Sequence, residues 1–304
     1  MDTALGIVVR WALVADLMLL FGVPLFAIYI VPGAVAKTGR ALRALVLASA
    51  SVGILLSVLG IAILTATMSG AALGDVDLAG VTMLVTATAV GTAFLVRIAA
   101  LAASFALALR LQGNRANASL IMLSGAIALG SLAWSGHGVM DDGRTGVIHL
   151  VADIVHLLSA GTWVGALGAL LWLLVHTRRD DGAASHTALA GFATLGTVSV
   201  GLVVISGSVN AWLLVGPAHF LSIGATLYGQ LLLLKLALFA GMLALAALNR
   251  LHLTPTLAAA ANPGQTDRAT RRLRLSLAAE MLSAIVILGL VAWLGSLEPP
   301  IAMI

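Results

Sequence analysis

The 304-residue chain has no cysteine, and only 9% of its residues are charged and 5% aromatic. Without cysteine it forms neither disulfides nor thiolate metal sites, so a soft metal must be bound by histidine or by the 9 methionines. The scarcity of charge excludes an ordinary soluble domain, in which about a quarter of the residues are charged. No P-loop, GxSxG or HExxH motif occurs. We therefore predict that the protein is not an enzyme.

Hydrophobic residues make up 61% of the chain, and the mean hydropathy is +1.11. A helix that crosses the hydrocarbon core of a bilayer needs about 20 mostly apolar residues. The sequence therefore predicts an all-α integral membrane protein with eight transmembrane helices. The predicted spans are approximately 9–31, 44–68, 88–110, 118–135, 149–176, 189–214, 225–249 and 275–296.

The basic residues lie mostly on one side of these spans. Twelve of the 16 Lys and Arg residues fall in loops on that side, whereas only Arg10 and Arg144 fall on the other. Because basic loops remain in the cytoplasm, both termini are predicted to lie outside, in the periplasm of a bacterial inner membrane. The basic pI therefore reflects membrane topology. We expect the protein to lie in a lipid bilayer and do not expect it to bind nucleic acid.

The second half of the sequence echoes the first, which predicts two parallel four-helix repeats. We place the first repeat at residues 1–137 and the second at residues 138–304. Three pairs of segments match in order: LVAD at 13–16 and 150–153, T-x-x-G-x5-(R/K) at 88–97 and 226–235, and M-L-S-x4-L-G-x2-A-W at 122–134 and 281–293.

Four ionisable residues lie inside the predicted spans at corresponding places of the two repeats: Asp16, Arg97, Asp153 and Lys235. An isolated charge in hydrocarbon costs several kcal/mol, although the amount is contested. We therefore expect Asp16 to pair with Arg97 and Asp153 with Lys235, or the crossed pairs to form. Asn210, with nearby serines, adds polarity to the same outer layer.

The histidines do not follow the repeat, because the residues aligned with them in the other repeat are not histidines. His149, Asp153 and His156 occupy one face of the fifth span, and a rise of about 10 Å separates the two histidines. One small ion would therefore need a ligand from another element, for which His137 and the neighbouring Met140 are candidates. The aligned position of His137 in the second repeat is Ser296, so the asymmetry is typical of a single functional site.

At the basic side, Glu280 has no counterpart in the first repeat. We expect it to pair with Arg271, Arg274 or another basic group. The inner half of the bundle is otherwise poor in polar residues, and the sequence shows no complete hydrophilic path across the bilayer.

Several segments of the second half resemble the copper resistance protein D (CopD/PcoD) family. The resemblance covers residues 149–300 and rests on D-x2-H-L from Asp153, on YG-x5-K ending at Lys235 and on the NR that follows at 249–250; WSGHG at 134–138 adds to it. It implies an inner-membrane protein that handles copper, with a separate periplasmic copper-binding protein of the CopC type as partner. It also implies that His156 and Lys235 belong to family motifs.

Copper binding and translocation are the leading hypothesis, with His137, His149, His156 and Met140 as the metal site. Copper prefers imidazole and thioether ligands, and the imidazole must be neutral, so affinity should fall below about pH 6. One alternative is a haem-binding redox or porphyrin-handling protein, with haem b held axially by His156 and by His137 or His149. Another alternative is a subunit that delivers copper or assembles a complex without transporting copper.

Overall fold

The computed structural model describes residues 2–30, 38–111, 114–135, 143–176, 182–216, 222–260 and 262–298, and the regular elements of this part are helical. The α-helices are α1 (Asp2–Tyr29), α2 (Gly39–Ser69), α3 (Leu78–Ala87), α4 (Ala89–Leu109), α5 (Arg115–Gly130), α6 (Gly143–His176), α7 (Gly182–Val215), α8 (Leu227–Leu248), α9 (Thr254–Ala258) and α10 (Pro263–Leu294). A π-helical segment, Asn249–Leu253, joins α8 to α9 without a break.

Eight stretches of these helices are long and apolar enough to cross a membrane, which confirms the predicted number of spans. They are Ala4–Tyr29, Gly39–Ser69, Ala89–Leu109, Arg115–Ser135, Gly143–His176, Gly191–Val215, Leu227–Ala258 and Gly264–Leu294. The first span begins five residues earlier than predicted. Arg10, which is counted with the outer loops although it is the second residue of the predicted span, lies well inside the observed span.

The bundle has two ends. At the terminal end, where α1 begins and α10 ends, Arg10 Nη1 donates to the carbonyl of Gly295 at 3.1 Å. At the opposite, basic end, Arg250 Nη1 donates to Thr197 Oγ1 at 2.7 Å. Most of the basic residues of the described chain flank the spans at the basic end.

Helix α1 lies at the centre of the bundle. It packs against α2, α5, α6 and α10. In its apolar stretch 61% of the residues are buried, compared with 11% in that of the seventh span. The two helices that carry the LVAD motif, α1 and α6, are therefore direct neighbours.

Glycines allow α1 and α6 to approach closely. A Cβ atom added at Gly22 would overlap the carbonyl oxygen of Gly161 and would lie 2.8 Å from the Cα atom of Gly165. One added at Gly165 would overlap the backbone of Gly22 in turn. Small residues at such crossings let membrane helices pack backbone to backbone, which increases their dispersion contacts.

Helices α4 and α8 begin in the same way. The hydroxyl of Thr88 accepts from the backbone N–H of Gly91 at 3.0 Å, and that of Thr226 accepts from Gly229 at 3.1 Å. Each bond satisfies a backbone donor that the first helical turn leaves without a partner. The T-x-x-G pattern of the sequence is thus a pair of matching helix caps.

The boundary predicted between the two repeats, at 137/138, lies outside the described residues. The short helix α3 settles the conformation of residues 78–87, which the sequence alone leaves open. The side chain of Asp77 caps α3 by accepting from the N–H of Gly80 at 2.8 Å.

Candidate functional site

A cavity of about 450 Å³ lies inside the bundle near the terminal end. Its walls are mainly apolar, and seven of the eight spans contribute the polar groups that follow. The lining includes Arg10, Ser57, Thr67, Arg97, Ser135, Asp153, His156, Asn210, Tyr228 and Lys235. Four of the five residues predicted to form intramembrane polar pairs thus meet in one cavity, together with one predicted metal ligand.

Two arginines form one side of this cavity. Arg97 is 6% exposed, and its Nε donates to Ser131 Oγ at 3.0 Å while its Nη2 lies 3.5 Å from Ser135 Oγ. Arg10 donates to backbone carbonyls, that of Gly295 and, at 3.5 Å, that of Ser135. The two guanidinium groups are close enough to repel each other. The hydrogen bonds of both guanidinium groups go to neutral acceptors, which are serine hydroxyl groups and backbone carbonyls.

Asp153, on α6, also lines this cavity. Asn210 on α7 donates from Nδ2 to Asp153 Oδ1 at 2.6 Å. Lys235 on α8 and Arg10 on α1 both lie within electrostatic range of the carboxylate. Residues of three other helices, α1, α7 and α8, thus lie near this carboxylate. Asn210 is the direct hydrogen-bond partner of Asp153, and the Asp153–Lys235 pair stays a prediction.

His156 stands one turn further along α6 and lines the same cavity. Its Nδ1 lies 3.1 Å from Ser206 Oγ on α7. The absence of a side chain at Gly207 makes room for the ring, because a Cβ atom there would lie 3.2 Å from His156 Cε1. The hydroxyl of Ser206 also donates to the carbonyl of Leu202 at 2.6 Å, and this fixes the group that holds the imidazole.

His149 is buried and Asp16 is half-buried, and neither is among the lining residues of the cavity. His149 is 1% exposed and lies within electrostatic range of Asp153, four residues further along α6. Asp16 forms a hydrogen bond with Ser49 on α2, and its Oδ2 lies close to Gly53. In the described chain, therefore, the contacts of Asp16 are with α2 and those of Arg97 are with the end of the fourth span. The direct Asp16–Arg97 pair is not among these contacts and stays a prediction.

His137 and Met140, the other two predicted metal ligands, lie outside the described residues. Within the described ranges, no group of three or more histidine, aspartate or glutamate side chains is arranged to hold a metal ion. Of the predicted ligands, His156 lines the cavity. His149, two turns nearer the start of the same helix, is buried and is not among the lining residues.

A second buried polar group lies at the basic end. Glu280 on α10 is fully buried, and its Oε1 accepts a hydrogen bond from Asn249 Nδ2 in the π-helical segment. Arg274 instead donates to the carbonyl of Leu174. The expectation that Glu280 pairs with a basic residue is therefore wrong, because the arginine one and a half turns away is turned toward α6. Asn249 was not among the predicted polar residues of the spans, although it stands inside the NR motif.

These observations define a class: a multi-pass α-helical membrane protein whose ionisable residues surround an internal cavity near one end. Residues 1–147 match the family described as Copper resistance protein D-like, N-terminal domain, and residues 186–294 match the family described as Copper resistance protein D. The chain belongs to the copper resistance protein D family and is a multi-pass protein of the inner membrane.

Three curated relatives extend this result. The chain is 43% identical over 306 residues to Copper resistance protein D of Pseudomonas syringae pv. tomato, covering 98% of both chains. It is 32% identical to Inner membrane protein YebZ of Escherichia coli over 55% of each chain. It is also 32% identical to Copper transport protein CutJ of Bacillus subtilis over 38% of this chain and 21% of that protein. No solved structure is significantly similar to the chain.

Proposed function

We propose that this protein binds copper at the terminal end of its bundle and carries it across the inner membrane. The observation that carries the proposal is the cavity at this end, in which His156 and Asp153 meet inside a chain of the copper resistance protein D family. The excess of basic residues at the opposite end favours a periplasmic location of the terminal end. Copper would then be captured from the periplasm.

The proposed ligands are His156 and His149 together with His137 and Met140. Two imidazoles on α6 are too far apart along the helix for one small ion, so the site needs the segment that follows the fourth span. In the sequence that segment follows directly on Ser135, which lines the cavity. A polar partner at Nδ1 fixes the orientation of the His156 ring, as the polar neighbours of metal-bound histidines commonly do. Asp153 is the acidic group that would attract the cation.

A second buried polar pair, at the basic end, supports the proposed translocation. Asn249 and Glu280 lie at the basic end, and the rise along the seventh span from Lys235 to Asn249 is about 21 Å at 1.5 Å per residue. Copper would therefore leave the cavity and meet the next strongly polar group only after most of the bilayer has been crossed. A periplasmic copper-binding protein of the CopC type is the proposed donor at the terminal end.

The two matching helix caps support the proposed parallel repeat. In each, a threonine caps the helix that carries a cavity-lining cation six residues beyond the capped glycine, Arg97 in α4 and Lys235 in α8. Both cations reach the same cavity from corresponding helices. The histidines then mark the one site that breaks this symmetry.

His156→Ala is expected to lower copper affinity and copper uptake, because it removes the one imidazole that lines the cavity in the described chain. Loss of one ligand should weaken binding by about tenfold or more, the usual scale for an altered metal site. Copper binding is measured on purified protein and uptake in proteoliposomes. The matched control is His252→Ala, since His252 is exposed at the basic end.

Unchanged binding and uptake in a His137/His149/His156 triple alanine variant that folds normally would refute the proposed copper site. Copper binding without uptake by the wild-type protein would instead favour the delivery or assembly role. The absorbance spectrum tests the haem alternative on the same sample, because haem b gives a Soret band. Among the described lining residues His156 is the only histidine, so a second axial ligand would have to come from elsewhere.

A further inference from the structure

The cavity at the terminal end carries more positive than negative charge among its described lining residues. Arg10, Arg97 and Lys235 are cations, whereas Asp153 is the one carboxylate. Formally, three positive charges and one negative charge leave a surplus of two. Such a surplus is costly inside a membrane protein, where ionisable groups are normally paired with each other or with backbone carbonyls.

The contacts of the three cations do not remove this surplus. Arg97 donates to two serine hydroxyl groups and Arg10 to two backbone carbonyls, and these acceptors are neutral. Arg10, Lys235 and the Asn210 amide share the single carboxylate of Asp153. Arg10 and Arg97 also repel each other. A further negative charge in this cavity would therefore balance the charges of its described lining.

The shape and the walls of the cavity restrict what could supply that charge. A volume of about 450 Å³ is in the range of small-molecule sites, and apolar side chains surround the basic groups. A planar anion suits guanidinium groups especially well, because their N–H donors match the geometry of carboxylate oxygens. Phe94 and Leu157 are among the apolar residues that would contact the rest of such a molecule.

We propose that this cavity binds the anionic oxygen group of a small molecule with an apolar body, a carboxylate held by Arg97 and Lys235 with Arg10 nearby. The ligand neutralises the cavity and packs its apolar part against the walls. This site does not depend on copper. It also provides a charge balance that allows a metal cation to approach His156 in the same chamber.

Benzoate is the probe, because it joins one carboxylate to an apolar ring that fits the cavity. The full-length protein is placed in phosphatidylcholine nanodiscs without copper, and binding is measured by isothermal titration calorimetry. Benzoate is expected to bind, whereas benzamide, its uncharged analogue, is expected to give no measurable heat. Equal affinity for benzoate and benzamide in the wild-type protein would overturn the proposal without any variant.

Lys235→Met and Arg97→Gln are expected to weaken benzoate binding by about ten- to hundredfold, the usual effect of losing one charged hydrogen bond. Lys235→Arg keeps the charge and should keep most of the affinity, which also covers the case in which Lys235→Met does not fold. Arg110→Gln is the matched control, since Arg110 is exposed at the basic end. Benzoate binding that is unchanged in folded Lys235→Met and Arg97→Gln would contradict the site.

A last arm separates a free carboxylate from an anionic lipid headgroup, which shares its chemistry. Nanodiscs that contain phosphatidylglycerol are titrated in the same way and examined by native mass spectrometry. Unchanged benzoate affinity assigns the site to a free carboxylate. Weaker benzoate binding with retained phosphatidylglycerol, both lost in Arg97→Gln, assigns it to the lipid headgroup. Both of these results support an anion site. Phosphatidylglycerol that stays bound to the Arg97→Gln variant would count against an anion site.

Discussion

Gly165→Ala is expected to destabilise the protein strongly. The added Cβ atom would overlap the backbone of Gly22, and no flexible side chain can move aside there, because both partners are helix backbone. Helices α1 and α6 must then separate, and α1 is the centre of the bundle. We expect a loss of about 3 kcal/mol or more in the free energy of unfolding, at or above the upper end for overpacked sites. Reversible unfolding in denaturing detergent, followed by tryptophan fluorescence, measures it.

Gly241→Ala is the matched control for this prediction. Gly241 also lies inside a membrane-spanning helix, α8, but a Cβ atom there meets nothing within 4 Å. Its replacement should be neutral or slightly stabilising, because alanine has the higher helix propensity. If Gly165→Ala were as stable as Gly241→Ala, the close crossing of α1 and α6 would be refuted.

Asn249→Leu is expected to have the second-largest effect. Glu280 is fully buried, and the amide of Asn249 donates to its Oε1. Leucine removes that donor and leaves a buried carboxyl group without it, at a cost of about 3 kcal/mol in the free energy of unfolding. The same detergent unfolding experiment measures the change.

Glu280→Gln should be tolerated where Asn249→Leu is not. A glutamine keeps an oxygen that accepts from Asn249, and its amide group gains the ability to donate to Asn249 Oδ1, which lacks a partner in the described structure. The double variant Asn249→Leu/Glu280→Leu should recover much of the stability, because it removes both polar groups together. Equal stability of Asn249→Leu and the wild type would show that the pair contributes nothing.

The copper and anion sites make different demands on the same cavity. The proposed copper site uses His156 and its neighbours on α6, whereas the proposed anion site uses Arg97 and Lys235 on α4 and α8. Variants of one set therefore test one site while leaving the ligands of the other in place. A protein that binds benzoate and no copper would retain the further inference and lose the proposed function, and the reverse result is equally distinguishable.

Several contacts join residues of different helices, and the residue pattern within one span does not predict them. Asn249 and Glu280 are 31 residues apart and lie on different helices, so the amide was not recognised as the partner of the acid. Arg10 was assigned to the outer loops, because the polar start of a span is hard to separate from a loop by hydropathy. Glycines at 161 and 165 form a G-x-x-x-G spacing, which is a visible signal for close helix packing that the sequence analysis did not use.

The sequence by itself determined the membrane class, the eight spans and the family, because the length of an apolar run and the composition of a motif are properties of the chain alone. Residue spacing also placed His149, Asp153 and His156 on one face of a helix. Only the tertiary structure decided which groups meet: Asn210 with Asp153, Ser206 with His156, and Arg10 beside Arg97. The reason is physical, since a helical period fixes the direction of a side chain relative to its own axis, whereas its neighbours depend on how closely and at which residues the helices cross.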